Sequence, residues 1–137
     1  MEKVQPKTSY PTRSGQVISL EKGKIPPQAI DLEEVVLGAM MIDRKGVDEV
    51  IDILSTEVFY KESHQHIFEA ILLLFENSEP VDLLTVSSQL KKNRKLEAAG
   101  GEFYLIQLTQ KVSSSAHIEF HARIILQKYI QRSLIKI

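Results

Sequence analysis

Cysteine is absent from this sequence of 137 residues, so disulfide bridges and thiolate metal sites are excluded. Long apolar runs are absent too, and a membrane-spanning helix needs about 20 consecutive apolar residues. The first residues show no positively charged segment followed by an apolar stretch, so no signal peptide is expected. These absences favour a cytoplasmic protein of one domain with no membrane partner.

Phosphate-binding glycine loops are missing as well. None of the glycines fits the G-x-x-x-x-G-K-[ST] pattern, since Gly23-Lys24 is followed by Ile25 and Ile18 stands where the first glycine is required. No G-x-G-x-x-G pattern occurs either. We therefore expect this chain to bind no nucleotide or other cofactor, to hydrolyse no ATP and to be no enzyme in its own right.

The four histidines form two pairs that meet only part of the requirement for a metal site. His64 and His66 flank Gln65, whereas His117 and His121 are spaced i, i+4. A zinc site needs a third histidine or a carboxylate that converges on the pair, and the sequence indicates none. We expect these imidazoles to form hydrogen bonds at a helix start or to lie at the surface, and we expect no metal site.

Other polar residues lack the spacing of a catalytic or nucleic-acid site. Glu33 and Glu34 are adjacent, so on a helix their side chains diverge, which predicts solvated groups and not an acid–base pair. The serines at 113–115 lack a base with an orienting acid, and they predict a loop with a helix cap. The basic run from Lys91 to Lys95 contains no aromatic residue to stack on bases, so at most weak DNA contact is expected there. No catalytic residues are expected.

Charge is distributed unevenly along the chain, although the formal net charge is only -1. Residues 1–25 carry a net charge of +3, residues 26–90 carry -10 and residues 91–137 carry +6. One interpretation is a set of solvated helix faces. The other is an acidic head with a basic C-terminal arm, each able to meet a partner of opposite charge.

Apolar residues recur at helical spacing and predict an all-α domain of six helices. Residues 1–24 contain scattered proline, glycine and serine and predict a flexible tail, in which only the alternating stretch 16–20 suggests a strand or a packed arm. Residues 25–112 predict a compact helical head. Residues 113–137 predict a long C-terminal helix, the first arm of a truncated helical hairpin.

Several local signals give the expected helix bounds. Asp31 with Glu34 three residues later suggests a capping box on the first helix, with a start one or two residues earlier as the alternative, and the second helix is predicted over 47–54. Residues 67–75 are apolar over more than half the girth of the third helix, which predicts that this helix is central. Asp82 is expected to cap the fourth helix, and Asn93 is expected to end it in the left-handed conformation.

The sixth helix has an apolar stripe that continues to the end of the chain. No glycine or proline closes it, so we expect either a truncated hairpin or pairing with another subunit. Each large apolar side chain left in water forgoes roughly 1.5–3 kcal/mol, which favours a covering partner. For the residues near the head, packing within the domain's own core is an equal alternative. The stripe consists of Ile118, Ala122, Ile125, Leu126, Tyr129, Ile130, Leu134 and Ile137.

An ordered set of short motifs is more specific than any of these patterns. In the order and spacing of its members, the set resembles the N-terminal domain of bacterial replicative DNA helicases of the DnaB family. The resemblance covers residues 25–137. The motifs are Pro26-Pro27, Asp31 to Gly38, Phe59-Tyr60, His64 to Phe68, Pro80 to Leu83, Gly100-Gly101, Tyr104-Leu105, Ala116 with Ile118, and Ala122 to Ile125.

The resemblance implies a head and a helical hairpin that pair with other copies to form a collar on a hexameric ring. The ring's RecA-like motor, with its ATP and Mg²⁺, would lie outside this chain and would unwind DNA that contacts the parent ring. Primase docks on such a collar, and a helicase loader is a further partner that the resemblance allows. The expected assembly seam consists of Ile118, Ala122, Ile125, Tyr129, Ile130 and Leu134. Beside it we expect Arg123, Lys128 and Arg132, in positions to pair with acidic partners.

Other functions stay open from the sequence alone. The helicase-binding domain of primase resembles this fold, although the Pro-Pro entry and the His-x-His-Ile-Phe run favour the helicase. A stand-alone helical protein-interaction domain, a small metal enzyme built on the histidines, and a direct nucleic-acid binder are the remaining alternatives. Metal titration tests the enzyme, and a steep fall of affinity with salt identifies the nucleic-acid binder.

Overall fold

The computed structural model describes residues 25–112 and 115–135, so the predicted tail and the stretch 16–20 lie outside it. Within those ranges the chain is helical and contains no strand, which confirms the predicted all-α fold. No helix of these ranges combines the length and the hydropathy that crossing a bilayer requires. The elements are α1 Ile30–Ile42, α2 Arg44–Val50, a 3-10 turn Thr56–Val58, α3 Glu62–Glu76, α4 Leu83–Lys92, α5 Gly101–Gln110 and α6 Ile118–Ile135.

The central helix is α1, and the prediction that the third helix is central was wrong. Helix α1 contacts each of the other five helices, whereas α3 contacts α1, α4 and the 3-10 turn. Two small residues explain the difference, because Gly38 and Ala39 leave room for neighbouring helices to approach closely. The outer side of α3 exposes Glu69 and Phe75 to solvent. Every residue from Val36 to Met41 is buried.

The predicted cap of α4 is confirmed and that of α1 is wrong. The Asp82 carboxylate accepts a hydrogen bond from the Thr85 amide at 2.9 Å, and the Thr85 hydroxyl accepts one from the Asp82 amide. Helix α1 instead begins at Ile30 with Ala29 as its N-cap, which has no side chain able to cap, and the Gln28 side chain accepts a hydrogen bond from the Ile30 amide at 3.4 Å. Asp31 therefore lies inside the first turn, where its charge interacts favourably with the helix dipole.

The left-handed residue after α4 is Arg94, with φ 59°, and not Asn93, which is right-handed. The Lys95 amide donates to the Leu90 carbonyl at 2.8 Å across this residue, which is the hydrogen-bond pattern of a Schellman end. The motif needs one further helical residue before the reversal, so the left-handed position falls one residue later than expected.

Helix α2 begins at Arg44, ahead of the predicted 47, because the Asp43 side chain caps it by accepting a hydrogen bond from the Lys45 amide.

Candidate interaction site

The N-terminal half of α6 completes the core of the head. Ile118, Ala122 and Ile125 are each at most 2% exposed, and α6 packs against α1, α2 and the 3-10 turn. The expected seam is therefore divided, because these three side chains are already enclosed within their own domain. For Ile118 and Ala122 this is the intramolecular alternative stated above, and Ile125 joins them one turn further along.

The start of α6 is fixed to the junction between α1 and α2. The Ser115 hydroxyl donates a hydrogen bond to the Asp43 carboxylate, and the Lys45 amide donates to the same carboxylate at 3.0 Å. These two bonds hold the pKa of Asp43 below its usual range, with the bond from Ser115 as the largest cause. The contact positions the helix so that its stripe enters the head.

The distal half of α6 presents an apolar surface away from the head. Ile130 is 47% exposed and Leu134 is 77% exposed. At 100° per residue, Phe120 and Leu134 lie opposite Ala122 and Ile125, with Ile124 and Ile130 at the two margins of that side, and we call these four residues the outer face. Phe120 is 64% exposed and Ile124 is partly buried. A helix that is apolar on two opposite sides is typical of burial between two neighbours.

Phe120 and Ile124 are the residues that the sequence interpretation missed. They lie off the stripe that faces the head, so a search for one apolar seam passes over them. A signal was available, because Phe120, Ile124 and Leu134 follow a second helical repeat displaced by two residues from Ile118 and Ala122. The outer face therefore shares only Ile130 and Leu134 with the predicted seam, and it adds Phe120 and Ile124.

Arg132 does not extend outward toward an acidic partner, as the sequence interpretation expected. Its guanidinium donates hydrogen bonds to the carbonyl oxygens of Pro27 and Val58, both at 2.9 Å. The same group lies 5.1 Å from the centre of the Tyr60 ring and 5.7 Å from that of Tyr129. The physical reason is that α6 passes over the segment before α1 and the end of the 3-10 turn, and each of them presents a carbonyl group to the guanidinium.

The other two predicted flanking cations have different surroundings. Arg123 is exposed and forms an ion pair with Glu119 one turn earlier, at 2.9 Å. Exposed pairs of this kind stabilise a helix by only about 0.3–0.5 kcal/mol, so Arg123 remains available to a partner. Lys128 is partly buried along the same helix. Tyr129, a predicted seam residue, is partly buried and packs against the core.

A buried polar network joins α1, α3 and α5 inside the head. The Glu33 and His64 side chains are fully buried, and Nδ1 of His64 lies 2.8 Å from Oε1 of Glu33. Nε2 of His64 lies 2.6 Å from the hydroxyl of Tyr104, and the Tyr60 amide donates to Glu33 at 2.7 Å. Glu33 is therefore not solvated as predicted, whereas His64 forms hydrogen bonds at the start of α3, which is the first of the two alternatives given for the histidines.

The network resembles an acid–base relay but is closed to substrate. Glu33 and His64 are inaccessible, and burial together with the neighbouring Glu34 carboxylate raises the pKa of Tyr104, so its phenol stays protonated. Glu34 itself pairs with Lys111 at 2.9 Å, which raises the pKa of that lysine. The arrangement connects three helices through satisfied hydrogen bonds.

Neither histidine pair lies in a recognisable metal-binding group. Within residues 25–112 and 115–135, no cluster of three or more histidine, aspartate or glutamate side chains is arranged to hold an ion. The His117 and His121 rings lie edge to face with their centroids 6.4 Å apart. In the basic run, Lys91 pairs with Glu102 at 2.9 Å, while Lys92, Arg94 and Lys95 are exposed.

Comparisons with known proteins agree on one family. The family model described as the DnaB-like helicase N terminal domain matches residues 25–127. The replicative DNA helicase DnaB of Rhodothermus marinus is 46% identical over 114 residues, which are 83% of this chain and 12% of that protein. The corresponding helicase of Geobacillus stearothermophilus is 42% identical over 113 residues, or 82% of this chain and 25% of that protein.

A solved structure supports the same relation. The N-terminal domain of DnaB helicase from Mycobacterium tuberculosis has a TM-score of 0.78 and 33% identity, and the match covers 81% of this chain and 79% of that one. The present chain spans an eighth to a quarter of the length of the two curated relatives. These comparisons favour the helicase over the primase domain that the sequence left as an alternative.

Proposed function

This chain belongs to the DnaB-like helicase N-terminal domain family, and from that premise we propose that it is the assembly and docking domain of a replicative DNA helicase. In this proposal copies of the domain associate through α6 and contribute to the collar of a ring. The parent protein unwinds DNA at the expense of ATP with a motor outside this chain. The chain itself supplies contacts and no chemistry.

The observation that carries the proposal is the outer face of α6. The helix has 18 residues and is therefore about 27 Å long, and its outer face exposes large apolar side chains near both ends. Burial of each such side chain stabilises an assembly by roughly 1.5–3 kcal/mol. A second helix, from the same polypeptide or from another copy, fits this face in the manner of a helical hairpin.

We expect Leu134→Asp to weaken self-association of the 137-residue chain by at least about tenfold, because a charge replaces a side chain that the partner buries. Phe120→Asp, at the other end of the outer face, is expected to act in the same direction. Sedimentation equilibrium over a range of concentrations measures the effect, and circular dichroism checks that helicity is retained.

A matched control is available on another helix. Leu84 in α4 is 75% exposed, almost as much as Leu134, so Leu84→Asp introduces the same change away from α6. That variant should associate like the unmodified chain. An unchanged mass for Leu134→Asp and Phe120→Asp, or an equal loss in Leu84→Asp, would contradict the role of the outer face.

Docking of primase is the second part of the proposal, and the charge of the head supports a basic partner. Residues 26–90 carry a net charge of -10, and Asp48, Glu49, Asp52 and Glu57 are all exposed. Opposite charges across an interface raise the association rate and select the partner.

We expect the Leu134→Asp chain to bind the C-terminal domain of primase, with an affinity that falls as salt rises. Titration calorimetry tests this, and binding that is independent of salt would exclude the acidic surface.

A further inference from the structure

Beyond Tyr129, which packs against the core, the end of α6 is joined to the head by the hydrogen bonds of one side chain. Among the described residues after Tyr129, Arg132 alone forms hydrogen bonds to the head, since Ser133 bonds only to the Tyr129 carbonyl of its own helix. Ile130, Leu134 and Ile135 are all exposed. The direction in which this end of the helix leaves the head therefore depends on Arg132.

We infer that Arg132 is the positioning residue that holds the distal half of α6 against the head, and so sets the direction in which the outer face meets a neighbour. The consequence for the direction of the outer face rests on the proposed function. The contacts of Arg132 with the head do not depend on that proposal. We call the guanidinium with the carbonyls of Pro27 and Val58 and the rings of Tyr60 and Tyr129 the Arg132 latch.

The chemistry of the latch requires arginine. The guanidinium is planar and carries several donors in a fixed fork, so one group reaches two carbonyls on separate segments while it lies against aromatic rings. The Pro27 carbonyl lies in the segment before α1, and the Val58 carbonyl belongs to the last residue of the 3-10 turn. A lysine at 132 has one compact ammonium group and cannot combine both bonds with the same stacking.

The latch is connected to the buried network through Tyr60. The Tyr60 amide donates to the fully buried Glu33 carboxylate at 2.7 Å, and the ring of the same residue lies beside the Arg132 guanidinium. The core network thus fixes the backbone that presents one wall of the latch. The orientation of the distal helix is therefore coupled to the interior of the head and not to the helix alone.

Amide hydrogen exchange on the 137-residue chain tests the latch, at a concentration at which sedimentation shows a monomer. In Arg132→Gln we expect amides of residues 129–135 to exchange about tenfold faster, because two charged hydrogen bonds are lost, while α1 and α3 keep their protection. Arg132→Lys should show a smaller change in the same residues. Arg123→Gln removes an arginine from the same helix outside the latch and should leave exchange there unchanged.

Two results would overturn the inference: unchanged exchange of residues 129–135 in Arg132→Gln, or an equal acceleration in every helix, which would mean a loss of global stability only. Should Arg132→Gln fail to fold, Arg132→Lys and Tyr129→Leu provide the same comparison with smaller perturbations. The exchange is measured on the monomer, so it does not depend on assembly. If Leu134→Asp leaves association intact, the proposed function fails while the latch can still be confirmed.

Discussion

Replacing Glu33 with alanine is expected to lower the free energy of unfolding by about 3–5 kcal/mol, because removal of one partner of a buried polar pair leaves the other without compensation. The carboxylate accepts from Nδ1 of His64 and from the amides of Tyr60 and Lys61. All three donors lose their acceptor in the variant, and the site is closed to water. Urea unfolding followed by circular dichroism measures the change.

The control for this prediction is Glu69→Ala on α3. Glu69 is exposed, so its loss should change the free energy of unfolding by no more than about 0.5 kcal/mol. Glu33→Gln keeps the size of the side chain and an acceptor oxygen, and it should fall between the two. If Glu33→Ala were as stable as Glu69→Ala, the network would contribute nothing to the fold.

Gly38→Ala is expected to destabilise the domain by at least about 2 kcal/mol, although alanine normally stabilises a helix interior by about 0.5–1 kcal/mol relative to glycine. A Cβ atom at position 38 would lie 2.2 Å from the carbonyl oxygen of Leu108 and 2.7 Å from Cγ2 of Val112. The oxygen belongs to the backbone of α5 and cannot rotate aside. The two helices must therefore separate, which opens the core between them.

Gly46→Ala is the matched comparison, because position 46 also lies in a helix. A Cβ atom there would meet the tip of the Ile118 side chain at 3.1 Å, and that tip can move by a few tenths of an ångström. Its effect should be near zero, since the gain in helix propensity offsets the small contact. Thermal unfolding of both variants checks the sign, and a stabilised Gly38→Ala would show that α1 and α5 are not in close contact.

The sequence predicted the helices well because their signals are local. Asp82 is recognised as a cap from its own residue type and the turn that follows it, and the structure confirms it. The left-handed position after α4 was misplaced by one residue, because the Schellman end depends on where the last helical hydrogen bond forms. Arg94 occupies it without the glycine or asparagine that a sequence search expects.

The burial of individual side chains was harder to predict from the sequence than the positions of the helices. Glu33 and Glu34 are adjacent and diverge as expected, but adjacency does not reveal that one of them points into the core. The spacing of Glu33 with Leu37 and Met40, both fully buried, was the signal for its burial. The argument from adjacency took no account of this spacing.

For the candidate interaction site on α6, too, the sequence predicted the helix but not which of its side chains are buried. The period of α6 locates an apolar stripe correctly, but it does not tell which turns are covered by the head. Ile125 is enclosed while Ile130, five residues later, is half exposed, because five residues turn the helix by about 140° beyond a full turn and carry Ile130 onto the outer face. Arg132 was misassigned for the same reason, since its acceptors are carbonyl groups that are distant in sequence.

The bond between Arg132 and the Pro27 carbonyl joins residues 105 positions apart, near the two ends of the described chain. Both ends of the domain therefore emerge close to one point on its surface. Tension applied between those ends would load this bond before it reached the helices of the interior. The Arg132 latch would then be the first contact to break under force. The hydrophobic core would bear the pulling force only after the latch had opened.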